Sequence, residues 1–104
     1  MGKITQTKIV GTCLHIGLHG RRLDAAAARD FKLECEAAWQ TGVDAVEIDL
    51  SPVEFVDSSG IGALLSVYKK LPAQSTGVKL LRVKPGVQAV IELLRLHRIF
   101  EIQT

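Results

Sequence analysis

The amino-acid sequence predicts an α/β protein with a small mixed, partly parallel β-sheet of four to five strands and three to four helices. Strand-like segments alternate with segments of helical spacing along the chain, an order typical of sheets that contain parallel strands. One central strand alternates, with Val46, Ile48 and Leu50 on one side and polar Glu47 and Asp49 on the other. A strand covered by helices on both faces would be apolar throughout. We therefore expect helices on one face of the sheet and a more open second face.

The first elements are two strands joined by a turn. Residues 3–10 alternate weakly, as suits a short edge strand, and Gly11 allows a turn into a second strand over residues 12–18. In that second strand, successive side chains point to opposite faces. One face carries Leu14, Ile16 and Leu18, and the other carries Cys13, His15 and His19.

The first helix follows a turn over Gly20–Asp24. Asp24 is a good N-cap for the alanine-rich segment after it, since its carboxylate can accept a hydrogen bond from the first turn. The apolar stripe of this amphipathic helix comprises Ala28, Phe31, Cys35 and Ala38 or Trp39. We expect the helix to end at Thr41-Gly42.

The second helix begins in the run Asp57-Ser58-Ser59, whose side chains can all accept bonds from the open amides of a first turn. Helical spacing then continues through Ile61, Leu64, Leu65 and Tyr68 and closes near Leu71-Pro72. A strand over residues 78–83, a third helix that starts at Pro85 and a short final strand over residues 99–102 complete the chain.

Two glycines near the start of the second helix, Gly60 and Gly62, need an explanation. Each costs roughly 1 kcal/mol against alanine in a helix interior, and somewhat less near the start. Something is therefore expected to approach this helix closely. A tightly packed neighbouring strand and a partner protein are both compatible with the pattern.

Composition restricts the functional class. The 104 residues fit one domain over 1–104, and the net charge of +2 is too small to indicate nucleic-acid binding. The sequence has no apolar run near the ~20 residues of a membrane span, so we expect no membrane insertion. The first residues lack the apolar core of a signal peptide, which favours a cytoplasmic location.

Catalytic and metal-binding patterns are absent from the sequence. Ser58 lies beside Asp57, but Val56 occupies the first glycine position of a Gly-x-Ser-x-Gly nucleophile elbow, and no phosphate-binding Gly-x-x-x-x-Gly-Lys motif occurs. Cys13 and Cys35 lie 22 residues apart with no histidine in ligand spacing, so both are expected to be small hydrophobic residues. His15 and His19 could in principle bind a metal, but without a carboxylate between them they are expected to be surface residues. We expect no enzyme, no catalytic residue, no metal site and no cofactor.

The run Phe55-Val56-Asp57-Ser58-Ser59-Gly60-Ile61-Gly62-Ala63-Leu64 resembles the central motif of the STAS domain of bacterial anti-sigma factor antagonists. The resemblance covers almost the whole chain in the right order. Gly20–Asp24 resembles the family's Gly-Glu-Leu-Asp turn, and Val46–Leu50 resembles its central strand. Lys84–Leu94 and Arg98–Ile102 resemble its final helix and strand. The resemblance implies the STAS fold.

The resemblance also implies a regulatory function. In such proteins a partner that is both anti-sigma factor and serine kinase phosphorylates the serine after the aspartate, which is Ser58 here. The unphosphorylated protein binds this partner and thereby frees the sigma factor, whereas the phosphorylated protein releases the partner. A phosphatase that removes the phosphate is also implied. Asp57 and Asp24 would form an acidic patch. The contact surface would be shaped by Ser59, Gly60 and Gly62.

Two departures and one alternative accompany the resemblance. The turn over Gly20–Asp24 is one residue longer than the family's usual turn, and it is basic at Arg21-Arg22, where the family commonly has glutamate. After the third helix, Arg95 stands where a glycine is common, which suggests a different helix end. The alternative is a STAS subunit of a bacterial lipid-transport ABC system that functions without phosphorylation. Its signature is likewise Asp-Ser-Ser-Gly, so the motif does not separate the two functions.

Overall fold

In a computed structural model, which describes residues 3–104, the chain forms two sheets and three α-helices. The strands are β1 (Thr5–Val10), β2 (Cys13–Leu18), β3 (Arg22–Leu23), β4 (Ala45–Asp49), β5 (Phe55–Val56), β6 (Gly77–Leu81) and β7 (Phe100–Ile102). The helices are α1 (Ala25–Ala38), α2 (Ser58–Lys70) and α3 (Pro85–Leu93), and a 3₁₀ turn spans Leu96–Arg98.

The larger sheet has five strands in the order β1-β2-β4-β6-β7. β1 is an edge strand and pairs antiparallel with β2, whereas the remaining neighbours pair in parallel. The parallel connections each run through helical segments, as such crossovers require. The mixed, partly parallel sheet predicted from the sequence is confirmed.

The sheet has one buried and one open face. Buried and half-buried residues alternate along β2, β4 and β6. The buried face joins the apolar stripes of the three helices in one core, whose members include Leu14, Ile48, Leu80, Phe31, Leu64 and Ile91. The open face carries half-buried side chains such as those of Cys13, His15 and Glu47. The predicted asymmetry of the two faces is confirmed.

Two predicted element ends are wrong. α1 ends at Ala38, and the N–H of its C-cap Trp39 bonds back to the carbonyl of Cys35, so Thr41-Gly42 lies beyond the helix. β6 stops at Leu81 rather than Val83. The reason is Arg82, whose φ of +54° is a left-handed conformation that interrupts an extended strand.

The end of α3 places an arginine in a conformation that glycine favours. Arg95 has a φ of +60° and directly precedes the 3₁₀ turn. Its N–H donates to the carbonyl oxygen of Glu92 at 2.9 Å. A left-handed residue after a helix is most often glycine, because any Cβ atom is strained there. The chain therefore keeps a glycine-type helix end at a position occupied by arginine.

The edge strand is fastened to α1 by one carboxylate. Glu34 accepts hydrogen bonds from the N–H of Ile4 at 3.1 Å, from the N–H of Thr5 at 2.9 Å and from the Thr5 hydroxyl. Burial opposes ionisation of Glu34, but the Thr5 hydroxyl and these two amides outweigh it and lower the pKa of the carboxyl group. The start of the chain's first strand is thereby fixed against the helical layer.

Candidate functional site

The predicted site residues lie at the end of the small sheet formed by β3 and β5. These two-residue strands pair in parallel, with Arg22 opposite Phe55 and Leu23 opposite Val56. An aspartate follows each strand directly, Asp24 after β3 and Asp57 after β5. Because the strands are in register, the two aspartates occupy neighbouring positions at the same edge.

Each of these aspartates caps a helix in the same way. The Asp57 carboxylate accepts a hydrogen bond from the N–H of Gly60 at 3.0 Å, at the start of α2. The Asp24 carboxylate accepts one from the N–H of Ala27 at 3.2 Å, at the start of α1. Their backbone angles are almost the same, with φ of −107° and −101°. The N-termini of α1 and α2 therefore begin side by side, each with a carboxylate at its positive end.

Ser58 and Ser59 are the first two residues of α2, and both are exposed. Among the first N–H groups of this helix, that of Gly60 bonds to the Asp57 carboxylate and that of Ile61 to the Asp57 carbonyl. The amides of Ser58 and Ser59 have no acceptor within the helix, since the first N–H groups of any helix lack one. The Ser58 hydroxyl thus lies at an accessible, positively polarised helix end.

The two glycines differ in their surroundings. Gly60 is buried, and a Cβ atom on it would lie 2.2 Å from the carbonyl oxygen of Leu23 and 2.6 Å from Cγ2 of Val56. Such distances do not occur between real atoms, so the glycine is needed for α2 to pack against β3 and β5. This is the first of the two explanations that the sequence allowed. Packing within the fold therefore explains Gly60, and its part in shaping a partner surface stays a prediction.

Gly62 is half-buried, and among the described residues nothing lies within 4 Å of a Cβ atom built on it. Its cost to the helix is not explained by packing within residues 3–104. The second explanation, close approach of a partner, stays a prediction for this residue.

An arginine–aromatic pair, which was not predicted from the sequence, lies beside the two aspartates. The guanidinium of Arg22 lies 4.3 Å from the ring centroid of Phe55, and its Nε lies 3.4 Å from the Asp24 carboxylate. The Ala27 amide and Arg22 lower the pKa of Asp24. Arg22 had been noted only as a departure from the family turn, and the side-by-side placement of β3 and β5 was not readable from two-residue strands. The predicted acidic patch is thus flanked by a cation and an exposed aromatic ring.

Away from this site, one expectation about the cysteines is corrected. Cys13 was expected to have no histidine in ligand spacing, and His15 was expected to be an ordinary surface residue. In the structure Cys13, His15 and Glu47 each offer one ligand atom within 4.8 Å of the others. Glu47 comes from β4, whose register with β2 the sequence does not specify. Cys35 is buried as predicted.

A profile of the STAS domain matches residues 5–104. The chain belongs to the STAS domain family. Within the described residues of this STAS protein, none of the helices is long and apolar enough to cross a membrane.

Solved structures of anti-sigma factor antagonists share the fold. The structure of the anti-sigma factor antagonist SpoIIAA in its unphosphorylated form is 24% identical, with a TM-score of 0.78 over 96% of this chain and 88% of that chain. The Bacillus cell fate determinant SpoIIAA in the phosphorylated form is 24% identical, with a TM-score of 0.71 over 96% of this chain and 91% of that chain. An anti-sigma factor antagonist from Mycobacterium paratuberculosis is 25% identical, with a TM-score of 0.80 over 95% of this chain and 83% of that chain.

Proposed function

We propose that this STAS protein is an anti-sigma factor antagonist whose binding is switched by phosphorylation of Ser58. Unphosphorylated, it binds an anti-sigma factor that is also a serine kinase and frees the sigma factor; phosphorylated, it releases that partner, and a phosphatase restores the first form. The observation that carries the proposal is the exposed Ser58 hydroxyl at the first position of α2, directly after the capping Asp57.

The site suits addition of a phosphate to the free protein. Ser58 is exposed, so a kinase can reach its hydroxyl without unfolding the chain. A phosphate there adds about −1.5 to −2 charges at pH 7. The positive end of α2 and the amides of Ser58 and Ser59 favour an anion by roughly 0.3–1 kcal/mol. The fold therefore accepts the modification.

The same phosphate opposes binding of a partner. In an interface formed around the neutral Ser58 hydroxyl, the added charge would lose water and lie next to the Asp57 carboxylate. In solvent, repulsion between such charges is about 1 kcal/mol at 4 Å, but it grows several-fold as water is excluded. The charge thus costs little in the free protein and much in the complex, which is what a release switch requires.

The surroundings of Ser58 have the composition of a partner surface. Phe55 is 41% exposed on the same small sheet and carries Arg22 over its ring. Aromatic residues and arginine dominate the binding energy of many interfaces. Ser59 is exposed on the first turn of α2, and Gly62 lies one turn further with free space beside it. We propose that Phe55, Arg22, Asp57, Asp24, Ser59 and Gly62 surround Ser58 in the contact with the kinase.

The relatives support the direction of this proposal. The protein of similar fold named SpoIIAA is described as an anti-sigma factor antagonist and has been solved in both an unphosphorylated and a phosphorylated form. A STAS fold is therefore compatible with both states of a modified side chain.

Phosphopeptide mapping tests the proposal. The protein is incubated with ATP and the anti-sigma factor kinase of the same genome, and the modified residue is located by mass spectrometry. We expect phosphate on Ser58, no phosphate in Ser58→Ala, and normal phosphate in the matched control Ser59→Ala. Phosphate on Ser59 alone, or its persistence in Ser58→Ala, contradicts the assignment. A protein that takes no phosphate and co-purifies with a permease and its ATPase would instead be a subunit of a lipid-transport ABC system.

A further inference from the structure

Three different metal-ligating side chains meet on the open face of the large sheet. Cys13 and His15 are alternate residues of β2 and so point to the same face. Glu47 lies on β4 directly opposite His15 in the parallel register. The Nδ1 atom of His15 is 3.3 Å from Oε1 of Glu47, and one ligand atom from each of the three residues lies within 4.8 Å of the other two. This group is called the Cys13 cluster below.

The spacing is close to that of ligands around one tetrahedral ion. Zinc lies about 2.0–2.3 Å from N, O and S ligands, which places neighbouring ligands roughly 3.3–3.8 Å apart. His15 and Glu47 already have this separation. The sulfur of Cys13 makes a weak contact of 4.0 Å with the carbonyl oxygen of Leu14, so rotation about the Cα–Cβ bond is the movement available to bring it closer. Pairing between β2 and β4 fixes the three Cα positions, so side-chain rotation is what closes the remaining gap.

The donor set selects the ion. A thiolate, an imidazole and a carboxylate together suit Zn²⁺, whereas Mg²⁺ and Ca²⁺ prefer oxygen ligands alone. We propose that the Cys13 cluster binds one Zn²⁺ ion through Cys13, His15 and Glu47, with water in the fourth position. The thiolate and carboxylate balance the two positive charges, and the thiol proton passes to solvent on binding.

The surroundings leave the fourth position accessible. His15 and Glu47 line an open groove of about 420 Å³ on this face of the sheet. Two lysines neighbour the Cys13 cluster: Lys79 lies on β6 opposite Glu47, with its ammonium group 3.8 Å from the Glu101 carboxylate, and Lys8 lies on β1 opposite His15. Both positive charges would oppose the ion. Replacement of Lys79 should therefore strengthen zinc binding rather than weaken it. This site lies apart from Ser58 and does not depend on the function proposed there.

Metal titration of the full-length protein tests the inference. We expect one Zn²⁺ per chain by calorimetry, and Co²⁺ substitution should give a thiolate-to-metal charge-transfer band. Cys13→Ala, His15→Ala and Glu47→Gln should each weaken zinc binding at least tenfold and Cys13→Ala should abolish the band. His19→Gln, which changes an exposed histidine outside the cluster, should bind as wild type, and Lys79→Gln should bind more tightly. Unaltered zinc affinity in any one of the three cluster variants, or no binding by wild type, overturns the proposal.

Alkylation gives a second readout that does not depend on the variants folding. We expect iodoacetamide to reach the half-buried Cys13 at alkaline pH, since burial and then the Glu47 carboxylate raise the pKa of its thiol. Cys35 is buried, and burial, followed by the charge of Glu34, raises its pKa to about 12, so that thiol should stay inert. We expect Zn²⁺ to slow alkylation of Cys13 in wild type at least tenfold and a chelator to reverse this. Equal alkylation rates of Cys13 with and without Zn²⁺ contradict a thiolate ligand.

Discussion

A Cβ atom on Gly60 would lie 2.2 Å from the carbonyl oxygen of Leu23, which is the last residue of β3. The same β3 carbonyl accepts a hydrogen bond from the N–H of Asp57 at 3.4 Å. The first turn of α2 thus packs directly against β3, which is followed by Asp24. The exposed Ser58 is consequently held on a fixed base, although its own side chain faces solvent.

The two glycines of α2 should respond to substitution in opposite ways. Gly60→Ala forces its new Cβ atom against backbone, which does not yield as a side chain does, and should destabilise the protein by about 1–3 kcal/mol or more. Gly62→Ala meets nothing within 4 Å among the described residues and should stabilise it by about 0.5–1 kcal/mol. Urea unfolding followed by circular dichroism measures both. Equal effects of the two substitutions would contradict the difference in packing.

The Glu34 carboxylate should contribute stability that depends on pH. Its pKa in the folded protein is lowered from the ordinary 4.5, so its contribution is present above that value and is lost as pH falls through the folded pKa. Glu34→Gln keeps the shape but removes the charge, and should cost on the order of 1 kcal/mol at neutral pH.

Urea unfolding at several pH values between neutral and acid checks this. The difference between wild type and Glu34→Gln should shrink as pH falls below 4.5. Glu36→Gln is the matched control on the same helix, since Glu36 is exposed, pairs with Lys70 at 3.0 Å and should contribute little. If the difference in unfolding free energy between wild type and Glu34→Gln stayed constant with pH, the negative charge of Glu34 would not be the source of the stabilisation.

Arg95→Gly should stabilise the protein. A left-handed backbone destabilises a residue with a Cβ atom by roughly 1–2 kcal/mol, and glycine removes this strain. Glycine also has greater conformational freedom in the unfolded chain, which offsets part of the stabilisation. We expect a net gain of about 0.5–1 kcal/mol in the free energy of unfolding by urea. Arg95→Ala is the control, because it removes the same side chain and keeps the strained Cβ atom. A gain in both variants would assign the effect to the side chain rather than to the backbone at φ +60°.

The capping role of Asp57 can be separated from its charge. Asparagine caps helices as well as aspartate does, whereas alanine cannot accept the bond from Gly60. Asp57→Asn should therefore leave the melting temperature nearly unchanged, while Asp57→Ala should cost about 0.5–2 kcal/mol. Equal melting temperatures for the two variants would mean that the hydrogen bond at 3.0 Å contributes nothing to stability.

Periodicity explains what could be predicted of the fold. Alternation in Val46, Glu47, Ile48 and Asp49 predicted a sheet with one open face, and the Asp-Ser-Ser run predicted the start of α2. The two-residue strands β3 and β5 were missed because two residues have no period. β6 was predicted too long because an arginine gives no sign in the sequence that its backbone is left-handed, as it is at Arg82.

The site was only partly predictable for a related reason. Asp57 and Ser58 belong to one local motif, so their placement at a helix start follows from adjacent residues. The contact of Gly60 with Leu23 joins segments far apart in sequence, and burial of the glycine depends on it. The Cys13 cluster likewise depends on the register of β4 against β2, which is set by the packed sheet as a whole.

The binding affinity of the Ser58→Asp variant tests the proposed switch most directly. Titration calorimetry against the anti-sigma factor kinase is run with wild type, Ser58→Asp and the control Ser59→Asp, after circular dichroism has established that all three are folded. We predict that Ser58→Asp melts within a few degrees of wild type, because the helix end favours the charge about as much as Asp57 opposes it. Its affinity should be at least tenfold weaker than that of wild type, and weaker than that of Ser59→Asp. Equal affinity of wild type and Ser58→Asp, confirmed with protein phosphorylated on Ser58, would contradict a phosphorylation switch at this residue.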